Sequence, residues 1–136
     1  KYMIAPNRTF DEIGGTVPGE ACASRDVIAE LADELAKYNI DLYLYFTGDG
    51  PHKDEKAGPR FGCTEPATNG VTRDFVEKWA AVLEEYAVRY KDAVKGWWMD
   101  GCYDLISLIM TTSCYRYTTA RSRRAIQTPS PATTTA

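Results

Sequence analysis

Residues 94 to 104 read VKGWWMDGCYD. An apolar run containing two tryptophans closes on a carboxylate, Asp100, and Gly101 interrupts it at once. In a strand, side chains alternate between the two faces. Gly96, Trp98 and Asp100 therefore share one face, and Trp97 and Met99 share the other. The plainer assignment for Asp100 is a cap on the helix expected after it, because Asp-Gly is common where a strand gives way to a helix. The second assignment is a reactive carboxylate at the carboxyl end of a parallel strand, the edge where α/β folds keep their ligands. The rest of the chain decides between them.

Working back from this strand, Thr72 can cap a helix over residues 73–91. Phe75, Trp79, Val82, Leu83, Tyr86 and Tyr90 recur on it at intervals of three and four, the stripe of a core-facing helix. Ahead of that helix lies a long stretch, TGDGPHKDEKAGPRFGCTEPATNG, with five Gly and three Pro, which reads as an irregular loop. IDLYLYF, residues 40–46, precedes the loop and reads as a strand buried on both faces. A helix over residues 26–38 comes before it, capped by Ser24 and stopped near Asn39, with Val27, Leu31, Leu35 and Tyr38 at helical spacing and Ile28 beside them. YMIA, residues 2–5, reads as a first short strand, and residues 6–24 as a second long loop. YDLISLIMTTSCYRYTTA, from Tyr103, is expected to supply a third helix.

Strand, helix, strand, helix, strand is the order of a parallel sheet with crossover helices. Each long loop follows a strand and precedes a helix, at the edge that holds ligand sites. Eight such units make a (β/α) barrel of ~250 residues. These 136 residues offer three or four units. The expected fold class is therefore α/β, a partial (half) TIM-type (β/α) barrel with parallel strands, completed by oligomerisation. A sheet of that size has open edges and an uncovered apolar face, both of which invite association. A homodimer or higher homo-oligomer is expected. Residues 1–120 form the partial barrel, and residues 121–136 an atypical polar tail. That tail, RSRRAIQTPSPATTTA with Ala120 before it, reads as a disordered segment or as a reading-frame slip, since a shifted frame permits a helix end, a Gly-Asn-Pro turn and a strand start there.

Composition narrows the partners. The formal net charge is -3, which gives no electrostatic reason to expect nucleic acid. No apolar run approaches the ~20 residues of a membrane-crossing helix. The residues after Lys1 do not read as a secretory leader. Cys22, Cys63, Cys102 and Cys114 contain no CxxC pair, which argues against a zinc site; no metal and no cofactor are expected. Their wide spacing favours free thiols and the cytoplasm. Cys102 reads as a small buried filler. Nine tyrosines suit a polar, ring-shaped ligand such as a sugar, as well as plain packing.

Two pieces, DVIAELADELAKYNIDLYLYFTGDGPH (26–52) and FVEKWAAVLEEYAVRYKDAVKGWWMDGCYD (75–104), resemble the catalytic domain of family 29 glycoside hydrolases, the α-L-fucosidases. The ending WWMDG is the specific part of the likeness, which spans well under half of a full-length family member. The resemblance implies a retaining hydrolase for fucosylated oligosaccharides or glycosides, with Asp100 as the nucleophile that forms a covalent fucosyl-enzyme intermediate. Transfer of fucose to another sugar is the companion reaction. A second carboxylic acid is then needed ~5–5.5 Å away. In the family it lies beyond this chain's end, so a loop glutamate is expected to serve, the candidates being Glu12, Glu20, Glu55 and Glu65. The family's His-His-Asp stretch is replaced here by PNRTFDE, which puts its contacts to the sugar hydroxyls in question.

Expected substrate contacts are Trp98 as the sugar-facing ring, with Trp97 a packing residue, and Tyr103, His52 and Asp49. Of Tyr43 and Tyr45, one is expected to face the lumen, and Tyr45 is assigned to the ligand. Asp49 also suits a turn and His52 a solvated loop. The competing reading is a catalytically inactive sugar-binding or structural oligomer from a truncated glycosidase gene.

Overall fold

The computed structural model describes residues 2–63 and 72–100. Glu65, Cys102, Tyr103, Cys114, the helix expected after Gly101 and the tail lie outside the described residues. The chain is a mixed α/β structure: α1 (Arg8–Gly14), α2 (Val27–Ala36), β1 (Leu42–Thr47), α3 (Ala57–Phe61), α4 (Arg73–Tyr90), a 3-10 turn (Lys91–Ala93) and β2 (Val94–Asp100). The two strands pair in parallel, as a strand–helix–strand unit requires.

The α4 stripe forms as its spacing predicts. Phe75, Trp79, Val82, Leu83, Tyr86 and Tyr90 are all buried, and the Thr72 hydroxyl accepts the Phe75 N–H at 3.1 Å. Trp79 is the hub of the core. Its ring lies 4.9 Å from that of Phe46, 5.5 Å from Phe61, 6.1 Å from Phe10 and 6.3 Å from Phe75. Its indole N–H donates to the Thr47 carbonyl at 2.7 Å, so the polar end of the ring is satisfied at the end of β1.

Several expectations are corrected. The loop expected over 6–24 contains α1. Asn7, fully buried, caps it by accepting the Phe10 N–H at 2.7 Å, while its amide donates to the Val82 carbonyl at 3.0 Å. Glu85 of α4 accepts the Arg8 and Thr9 N–H groups, so two donors left over at the start of α1 are met from another element. The second loop contains α3, whose first turn is capped by Asp54 through the Lys56 and Ala57 N–H groups. Asp26, not Ser24, caps α2, accepting the Ala29 N–H at 3.0 Å.

α2 buries Ile28 and Ala32 rather than the Val27–Leu31–Leu35–Tyr38 stripe. The small Ala32 lets that side of the helix approach the core, leaving Leu31 and Tyr38 exposed. Residues 2–5 do not form a strand. Met3 makes a single parallel bridge to Cys22. Nor is β1 buried on both faces: Leu44 and Phe46 point into the core, whereas Tyr43 and Tyr45 are each 63% exposed. Among the described residues, no helix is long and apolar enough to cross a membrane.

Candidate active site

The register of the two strands builds the site. Tyr43 stands opposite Gly96, Tyr45 opposite Trp98, and Thr47 opposite Asp100. The pairing is irregular at its start, where Leu42 partners Val94 and Lys95 is the extra residue. From there on, alternation places Tyr43, Tyr45, Thr47, Gly96, Trp98 and Asp100 on one face. Leu44, Phe46 and Trp97 face the core on the other. Trp98 is 69% exposed and Trp97 packs inward, as their positions in the strand predict. Tyr43 and Tyr45 do not divide between faces. They lie two residues apart and so share one.

Gly96 makes room for this arrangement. A Cβ there would stand 2.7 Å from Cε1 of Tyr43, so the tyrosine ring lies across the neighbouring strand only because residue 96 has no side chain. At the carboxyl end, the Tyr45 hydroxyl donates to Oδ2 of Asp100 at 3.1 Å. Thr47 accepts the Asp49 N–H on its hydroxyl at 3.3 Å, which turns the chain out of β1. Asp49 thus has the turn position the sequence suggested. The strand pair therefore gathers Asp100, Tyr45 and Trp98, three of the residues singled out from sequence.

His52 sits further along the same connection. Its carbonyl and that of Pro51 approach Gly58, where a Cβ would meet them at 3.3 and 2.9 Å. The imidazole Nδ1 is buried and has no hydrogen-bond partner among the described residues.

The candidate glutamates are spread over the molecule. Glu12 pairs with Arg8 at 2.6 Å on the surface of α1. Glu20 pairs with Lys56 at 2.7 Å. The Lys56 ammonium, by its hydrogen bond, holds the Glu20 carboxyl below the usual range, with help from the Val17 N–H. Glu55 is exposed in the connection that leaves β1 at its carboxyl end.

Two hollows flank these elements. One, about 430 Å³ and mostly apolar, runs along all of β1 and is bounded by Tyr2, Ile4, Leu31 and Trp97. The other, about 450 Å³, lies between Arg8, Asp11, Glu12, Thr16 and Arg89. Among the described residues, no cluster of three or more His, Cys, Asp or Glu side chains could hold a metal ion.

Sequence reasoning missed Tyr43, Thr47 and the role of Gly96. Tyr43 was legible from its spacing to Tyr45. The other two depend on inter-strand register, which one strand read alone does not carry. Comparison with protein-family models, curated proteins and solved structures returned no match to this chain.

Proposed function

We propose that this chain is a retaining glycoside hydrolase acting on α-L-fucosides, with Asp100 as the nucleophile of a partial (β/α) barrel. The observation that carries the proposal is a carboxylate at the carboxyl end of a parallel strand, held by a tyrosine hydroxyl and flanked on the same face by an exposed indole. The choice of fucose rests on the resemblance of WWMDG and its flanking helix–strand pieces to family 29.

In this mechanism, an oxygen of Asp100 attacks the anomeric carbon as the glycosidic oxygen leaves with a proton from a second carboxylic acid. Water, deprotonated by that same group, then releases fucose and frees Asp100. Another sugar hydroxyl in place of water gives transfucosylation. The Tyr45 hydroxyl orients the Asp100 carboxylate by donating to Oδ2. Trp98 offers an apolar ring to the sugar's carbon face. Glu12 and Glu20 are committed to Arg8 and Lys56. The acid/base role therefore falls to the β1–α4 connection, which carries Glu55 and Glu65 and leaves the sheet at the end where Asp100 sits. His52 and Asp49, in the same connection, are the groups assigned to the sugar hydroxyls.

The test is release of nitrophenol from an aryl α-L-fucoside by the purified chain. Turnover that Asp100→Asn abolishes supports the proposal, and loss restored by azide in Asp100→Gly identifies the nucleophile. Turnover unchanged by both substitutions refutes it. The exposed aromatic face favours a second reading, an inactive sugar-binding or structural oligomer, for which neither variant has an activity to lose.

A further inference from the structure

Asn7-Arg8-Thr9 is the only Asn-x-Ser/Thr triplet in the sequence. That triplet is the acceptor pattern for N-linked glycosylation, which belongs in exposed loops. Here it opens α1, and Asn7 is 0% exposed. Both ends of its amide are engaged: Oδ1 accepts the Phe10 N–H at 2.7 Å, and Nδ2 donates to the Val82 carbonyl at 3.0 Å. The hollow bounded by Arg8 and Arg89 lies alongside but does not open onto this side chain, because Asn7 has no exposed surface. Arg8 and Thr9 are tied down as well. Their N–H groups donate to Glu85 of α4 at 3.0 and 2.7 Å, and the Thr9 hydroxyl bonds to the same carboxylate.

In glycan transfer, Nδ2 of the asparagine bonds to C1 of the first sugar of a lipid-linked oligosaccharide. The C1–O bond to the diphosphate breaks, Nδ2 gives up one proton, and the lipid diphosphate leaves. The transferase must enclose the asparagine amide and the hydroxyl two residues on together. The fold withholds both groups, whereas the unfolded chain offers both. A sugar ring already on Nδ2 has no room between α1 and α4, because a protein interior is packed to crystal density. The cap on α1 and the bond to Val82 are then lost together, and α1 cannot dock.

We propose that a glycan on Asn7 and this fold exclude each other. Asn7 is an acceptor only while the chain is unfolded, and a chain glycosylated there does not reach the described structure. Entry into a glycosylating compartment before folding therefore diverts the chain. The exclusion stands on the burial of Asn7 and holds whether or not the chain hydrolyses fucosides.

Purified full chain, a purified oligosaccharyltransferase and a lipid-linked oligosaccharide test it, with mass spectrometry of the peptide that contains Asn7. The folded chain should stay unmodified. Trp79→Ala keeps the triplet and loosens the core, and should take the glycan about tenfold faster or more, because such reactions follow the population of open chain. Where Trp79→Ala still melts cooperatively, Val82→Asp, which sets a charge at a fully buried position of the same core, replaces it. Thr9→Ala added to either variant should abolish the product. The converse arm makes the full chain behind a cleavable secretory leader in a glycosylating host. Every molecule from that host should carry the glycan or a cooperative thermal transition, never both, and the Thr9→Ala chain should show the transition. A glycan on Asn7 of a chain that melts cooperatively would overturn the proposal. An open variant that takes no glycan at Asn7, or a folded chain that takes it as fast as the open variant, would overturn it equally.

Discussion

The Tyr45 hydroxyl donates to Oδ2 of Asp100 at 3.1 Å, although Tyr45 itself stands opposite Trp98 in the ladder. The bond is therefore diagonal, one pair along the strands, within reach of a side chain as long as tyrosine. It ties the candidate nucleophile to the neighbouring strand.

From this follows the behaviour of Tyr45→Phe. A hydrogen bond to an ionised group is worth ~1.5–3 kcal/mol. If that bond orients Asp100 for attack, kcat/KM on an aryl α-L-fucoside should fall about ten- to a hundredfold, with the fold unchanged by circular dichroism. Asp100→Asn should fall further, to below about a thousandth of the unsubstituted chain. Steady-state kinetics of the two variants side by side checks both.

Trp79 should be the costliest position in the core. Trp79→Ala removes a ring that touches four other aromatics and strips the Thr47 carbonyl of its donor. The expected loss is ~3–5 kcal/mol, comparable with the whole stability of many domains. Trp79→Phe should cost less, about 1–3 kcal/mol, chiefly through the unpaired carbonyl. Urea unfolding followed by circular dichroism measures both.

Asn7 tests whether α1 is an integral part of the core. Its side chain caps α1 and satisfies the Val82 carbonyl while fully buried. Asn7→Ala should cost about 2–3 kcal/mol, the cap plus the orphaned acceptor. Asn7→Asp should keep the cap but set a carboxylate against that carbonyl, and should be worse. Denaturant midpoints rank the pair.

Acid should unfold the molecule partly through Glu85. Burial by itself raises this carboxyl, but the N–H groups of Thr9 and Arg8, the Thr9 hydroxyl and Arg89 together hold it below its ordinary value. A lowered value in the folded state contributes stability above the unfolded carboxyl's pKa and loses it as pH falls through the folded one. Glu85→Gln should therefore be less stable at neutral pH and show a shallower decline below about pH 4.5. Melting temperatures over that range give the slope.

How much of this was legible in sequence depends on whether a feature is periodic or relational. The six stripe positions of α4 and the limits of β2 follow from spacing alone, and Asn39, with its φ of 56°, ends the α2 region as its position suggests. α1 and α3 were hidden because each is short and flanked or interrupted by Gly and Pro. Pro59 is tolerated within the first turn of α3, where no intrahelical donor is lost. The exposure of Tyr43 and Tyr45 was hidden differently. Leu and Tyr alternate in β1, yet tyrosine counts as apolar in a run, so a one-sided strand read as two-sided. Of the site, Asp100 and Trp98 could be placed by alternation, whereas the Tyr45 bond required the register with a strand some fifty residues away.

The most direct test of the central claim is covalent trapping with a slow-turnover fluorinated α-L-fucosyl donor, followed by peptide mass spectrometry. The account predicts one fucosyl adduct per chain, carried on the peptide that contains Asp100 and absent from Asp100→Asn. An adduct on a different carboxylate, or no adduct on a folded chain, would contradict it.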